Sequence, residues 1–260
     1  MNILTKTLLA AAIGSAAFSA SAANISFQAF YANDAVAGET SFYSNTHNHV
    51  LEDFEDTDAL DSASGNNSTP VLSGTSDQKY ILSQQTFETK VGNFTLPTGQ
   101  NDDSNNTLSD NLMIESQETG EFGRDGSYAA TDAFASQWLD SNDAFQVTWD
   151  LLGGDFNAFG FYISDANDQG ARLVLDFKED EQFVVDLPFN GTGNSNLGYV
   201  SLFSDTVFSS AQLIFNNNTN RSDGWGIDNV TLAKVPEPGT LALLGLGLVG
   251  LALMRVRRTK

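Results

Sequence analysis

The chain has no cysteine, two histidines and five prolines among its 260 residues. Without cysteine there is no disulfide framework, no thiol nucleophile and no thiolate-held zinc, so stability must come from a buried core or a bound hard cation. The histidines, His47 and His49, flank Asn48. On a strand they would point the same way and hold part of a metal site; in a surface loop, the plainer reading, they would hold nothing. A Ser-His-Asp triad would have to draw on one of them, and no GxSxG elbow accompanies it. Basic side chains are also scarce, 12 against 33 acidic ones. Between Asn24 and Lys234 seven basic residues face 32 acidic ones, a net charge of −25. Such a surface repels phosphate backbones and excludes nucleic acid as a partner, while offering many oxygen ligands for Ca²⁺.

What is present begins with a leader. Residues 1–23 carry a lone Lys6, an apolar run and then small residues, the pattern of a secretory signal peptide. Ala20-Ser21-Ala22 and Ser21-Ala22-Ala23 both satisfy the small-x-small rule, so signal peptidase is expected to cut after Ala22 or Ala23. Residues 24–234 then form one domain.

That domain reads as strands. Short apolar runs at 25–31, 79–82, 87–94, 145–152, 159–163, 172–177, 183–187, 199–203, 213–215 and 226–232 alternate with Asn, Asp, Ser and Gly clusters. Phe145, Val147 and Trp149 fall on one face by period two. Only 129–139 suggests a short helix, and 61–68 and 100–110 read as long polar loops. The expected fold is all-β, an antiparallel β-sandwich with jelly-roll wiring, the 19 phenylalanines filling the slab between sheets.

Ser222-Asp223-Gly224-Trp225-Gly226-Ile227-Asp228-Asn229-Val230 is the most informative stretch of the domain. Ile227 and Val230 have opposite parity, so either both faces are covered or a bulge re-aims Asp228. The pattern resembles the last strand of galactose-binding-like and related jelly-roll modules. That resemblance implies a Ca²⁺ site in which Asp228 joins Glu52 or Asp53 from the acidic run Glu52-Asp53-Phe54-Glu55-Asp56. The same run can also be read as one half of a glycosidase carboxylate pair, or as a solvated edge. Trp225, between two glycines, is the candidate for stacking on a sugar ring; Trp149 is expected in the core.

The last stretch, 235–260, opens Val235-Pro236-Glu237-Pro238. From Gly239 to Met254 run 16 uncharged residues, a helix of about 24 Å, followed by Arg255, Arg257 and Arg258. Gly245, Gly247 and Gly250 match GxGxxG, but no acidic residue follows, so a dinucleotide loop is excluded. Pro-Glu-Pro, apolar helix and Arg-rich end, in that order, resemble the PEP-CTERM sorting signal of Gram-negative bacteria, also known as an ice-binding protein C-terminal domain. The resemblance implies a transient inner-membrane anchor and cleavage near Pro236-Glu237-Pro238 by an exosortase. It implies delivery to the cell surface or an exopolysaccharide, biofilm-like matrix. Glu237 is then another enzyme's recognition element. The expected role is non-enzymatic, structural or matrix-glycan-associated. A Ca²⁺-dependent carbohydrate-binding module and a secreted glycan-active enzyme are the alternatives. No regular Thr-x-Thr array supports an ice-binding face.

Overall fold

β14 (Gly226–Lys234) lies inside a sheet, with strands paired on both of its flanks. The computed structural model describes residues 24–31, 34–64, 80–99, 111–116, 137–141, 144–152, 154–164, 171–177, 182–188, 197–215 and 225–236. On one flank β14 pairs with β9 (Ala158–Ser164), which leads through β12 (Leu197–Ser204) to the edge strand β1 (Ile25–Tyr31). On the other flank its first half pairs with β7 (Gln137–Asp140) and its second half with β2 (His47–Glu52). Beyond β7 lie β6 (Leu112–Ser116) and β3 (Leu82–Gln84), which complete an eight-stranded sheet. Among the described residues the second sheet has six strands: β11 (Gln182–Asp186), β10 (Ala171–Phe177), β13 (Phe208–Phe215), β8 (Gln146–Leu151), β5 (Gly92–Thr95) and β4 (Thr86–Thr89). All the pairings are antiparallel.

One apolar cluster draws on both sheets, and this is what holds them together. Phe94 stacks on Trp149 at 5.1 Å within the six-stranded sheet, and Trp149 meets Phe159 of the other sheet edge-on at 5.4 Å. The buried indole N–H of Trp149 donates to the Val91 carbonyl at 3.1 Å, so the large ring enters the core without an orphaned donor. As alternation predicts, Val147 and Trp149 share the inner face.

The outer face of the larger sheet is covered as well. Helix α1 (Ala35–Asn45) buries Ala35, Gly38 and Phe42, one stripe at helical spacing, over β1, β12 and β9. Tyr162, Tyr199, Ala158 and Ala233 meet it from the sheet. Both readings of the broken parity in β14 therefore hold. Asp228 opposes Tyr162 and Thr231 opposes Gly160, so Asn229 and Val230 together face Phe161 in a bulge. Asn229 takes φ 48°, in the left-handed region that asparagine tolerates. The bulge turns both Ile227 and Val230 into the core.

Several expectations need correction. The 87–94 run is a hairpin, β4 and β5, that turns at Lys90-Val91; Gly92 follows at φ 118°, where a Cβ would stand 2.6 Å from the Leu152 nitrogen. β2, β6 and α1 fall outside the expected strands and helix, and α2 (Thr57–Ser64) is helical across the start of the loop expected at 61–68. In 129–139 the described residues, from Gln137 on, are extended in β7; 129–136, 65–68 and 100–110 lie outside the described residues. So do the leader and the apolar segment 239–254. No helix among the described residues is long and apolar enough to cross a membrane.

Candidate functional site

The two outer ends of the described domain meet at one corner. β14 finishes at Lys234, whose ammonium lies 3.5 Å from Asp155. The next residue, Val235, donates its N–H to the Asn157 side-chain carbonyl at 2.8 Å. Asn157 also donates its own N–H to the Ala233 carbonyl and accepts from the Ser204 N–H at 2.8 Å. One half-buried asparagine thus ties the exit of β14 to the end of β12. Pro236 follows, exposed and without an N–H to continue the ladder.

Beside it, Asn24 precedes β1. Its backbone N–H and side-chain amide reach the two oxygens of Asp205 at 2.9 and 2.7 Å. These bonds, with smaller help from Thr206, hold the Asp205 carboxyl below the ordinary carboxylate range. Between the two exits is a cleft of about 310 Å³, lined by Asn24, Ser26, Phe203, Asp205, Val235 and Pro236.

Residues 234–258 match the PEP-CTERM protein-sorting motif. The chain carries this sorting signal. It marks an exported protein that is processed by an exosortase. No curated protein matches the chain. The PEP-CTERM motif starts on the last residue of β14, so the corner above is the point where folded domain becomes sorting signal. Of its expected determinants Pro236 is on the exposed side of the corner; Glu237, Pro238, Arg255, Arg257 and Arg258 lie outside the described residues, as do Ala22 and Ala23.

The other site residues expected from sequence do not converge. Glu52 opposes Val230 on the β2–β14 ladder and shares its inner face, whereas Asp228 opposes Tyr162 on the outer face. The two carboxylates are separated by the sheet itself. Both oxygens of buried Glu52 are already engaged, accepting from Phe54 N–H at 2.9 Å and Lys90 N–H at 3.0 Å. Asp53 pairs with Lys90 at 3.7 Å, and Asp228 accepts the Asn229 N–H at 2.6 Å. Among the described residues no group of three or more His, Asp or Glu side chains is placed to hold a metal, so the calcium trio of Glu52, Asp53 and Asp228 is not assembled.

Trp225 is corrected too. It is 1% exposed, its N–H donating to Ser141 Oγ and its carbonyl accepting from the Ser141 N–H. The flanking Gly226 serves packing, not exposure: the Trp138 indole lies across it, 2.7 Å from where a Cβ would stand. His47 and His49 are on exposed positions of β2, with His49 hydrogen-bonded to Thr46 at 2.9 Å and against the Tyr43 ring.

Sequence reading missed a polar pin under α1. Glu39 accepts from the Tyr162 hydroxyl at 2.9 Å and from the Asn229 amide at 3.3 Å. Tyr43 meets Thr231 at 3.0 Å. Burial, then the Glu39 charge, pushes the Tyr162 hydroxyl pKa far above its usual value. It missed Asn157 and Asp205 as well, for nothing in the sequence says that residues 24, 157, 205 and 235 meet.

Proposed function

We propose that this chain is a non-enzymatic protein of the cell surface or extracellular matrix, a jelly-roll, galactose-binding-like domain delivered by its sorting signal to an exopolysaccharide setting. The supporting observation is the position of the PEP-CTERM motif. It begins on the final residue of β14, a strand paired on both flanks, so the tail that an exosortase handles is joined to the domain at a fixed corner. In this reading residues 239–254 hold the unprocessed protein in the inner membrane and Arg255, Arg257 and Arg258 mark its cytoplasmic side. The charge of −25 on residues 24–234 suits a domain that stays solvated outside the cell.

The rival readings draw less support. A Ca²⁺-dependent glycan module would want Trp225 at the surface, and Trp225 is buried. A glycan hydrolase built on the 52–56 acids would want Glu52 free, and backbone N–H groups occupy it.

The test is made in the producing cells. Replacing Pro236, Glu237 and Pro238 by alanine should hold the protein in the membrane fraction, while the wild type reaches the matrix. Equal release of both forms would sink the sorting role. Liberation of sugar from purified exopolysaccharide by the wild-type protein would overturn the non-enzymatic one.

A further inference from the structure

We infer that export processing hydrolyses the Ala23–Asn24 peptide bond and that the Asn24 α-ammonium so created docks on the Asp205 carboxylate. The inference rests on the export reading above and adds the position of the cut and the residue that receives the new terminus.

The geometry is specific to Asn24. Its backbone nitrogen donates to one Asp205 oxygen at 2.9 Å and its side-chain amide to the other at 2.7 Å. The Asp205 N–H returns a bond to the Asn24 carbonyl at 3.3 Å. Asn24 is therefore gripped on three sides immediately before β1 enters register, with Ile25 opposite Ser204. Both Asn24 and Asp205 are exposed, so a charged terminus placed there keeps its water and no burial cost opposes it.

Two cuts satisfy the small-x-small rule, and they differ in what reaches Asp205. Cleavage after Ala22 leaves Asn24 N as a neutral amide and puts the ammonium one residue, about 3.8 Å of chain, further out. Cleavage after Ala23 turns the nitrogen already seated on Asp205 into the ammonium. Water adds across the bond: its oxygen becomes part of the Ala23 carboxylate, which departs with the leader, and both of its protons end on the Asn24 nitrogen, which becomes –NH₃⁺. A charge-assisted hydrogen bond is roughly twice as strong as a neutral one, but an exposed pair is screened, so the bond chiefly places the terminus. The other groups at this corner are the Thr206 hydroxyl, 3.2 Å from Asp205 Oδ1, and the Lys234–Asp155 pair, whose charges cancel. The new amino terminus then lines the same cleft as Pro236, where the sorting motif leaves.

The protein exported by its own cells is the material for the test. Its amino-terminal residue is read by sequencing or intact mass, and its α-amine is titrated by NMR in the wild type and in Asp205→Asn. The expected terminus is Asn24. Its amine should titrate about half a pH unit above the ordinary ~7.7–8.0 in the wild type and return to that range in Asp205→Asn. A retained leader would overturn the export reading, and this inference with it. An Ala23 terminus, or identical titration in the two proteins, would overturn the docking alone and leave export standing.

Discussion

Val235 and Asn157 are joined by a 2.8 Å hydrogen bond from backbone N–H to side-chain carbonyl, across 78 residues of chain. Among the described residues it is the last tie along the chain between the sheets and the segment that leaves them. Asn157→Ala removes the acceptor and leaves the Val235 N–H to solvent, a cost of about 1 kcal/mol. The expected result is a small drop in the urea midpoint. A larger gain in tryptic cleavage after Lys234 should accompany it, because the local tie is lost while the core is not.

Glu52→Ala should cost far more. The carboxylate satisfies two backbone N–H groups, and its removal from a site 2% exposed orphans both. Each orphan is worth about 1–3 kcal/mol, so denaturant unfolding should show a loss of several kcal/mol. Glu52→Gln keeps one acceptor and should fall between the two. Equal stability of Ala and wild type would remove Glu52 from the structural account.

Gly160 lies under the Tyr199 ring, where a Cβ would come within 2.9 Å of Tyr199 Cζ. Both residues are buried, so the ring has little room to yield. Gly160→Ala is expected to destabilise by about 1–3 kcal/mol, with α1 loosened first. Faster amide exchange in 35–45 than in β8 would report this.

Alkali offers a pH test with a definite sign. Burial raises the Tyr162 and Tyr199 hydroxyl pKa values above the ordinary 10. Groups raised in the folded state contribute stability that is whole below about pH 10 and is lost as pH climbs beyond it. Absorbance at 295 nm should therefore show these two tyrosines ionising only together with the loss of far-UV circular dichroism. Full ionisation before unfolding would contradict their burial.

Bulge geometry gives a last substitution. Asn229 at φ 48° donates to Glu39, and a β-branched residue there is strained as well as mute. Asn229→Val should lower the melting temperature by more than Asn229→Gly, measured by calorimetry.

How much of this was legible in the sequence depends on whether the signal was local. β1 has the bounds that its alternation implies, and the parity break at Asp228-Asn229 does mark a bulge. The tail motif is a local string and matches as one. β6, all of it buried, has no polar face to generate an alternating pattern. α1 buries only a thin stripe of Ala35, Gly38 and Phe42, too small to stand out among its polar neighbours. Trp225 misled because a flanking glycine signals exposure and tight packing alike; only the position of Trp138 tells them apart. The Glu52 and Asp228 pairing failed for want of one fact, which face of the sheet each occupies.

The two exits from the corner differ in the strands behind them. A tug on Pro236 runs along the axis of β14, which is laced to β9 on one flank and to β7 and β2 on the other, so its ladders must shear together. A tug on Asn24 falls on β1, bonded among the described strands only to β12, and can unzip it one rung at a time. Load applied through the tail would thus fall on a strand laced along both flanks, and load applied through Asn24 on one laced along a single flank.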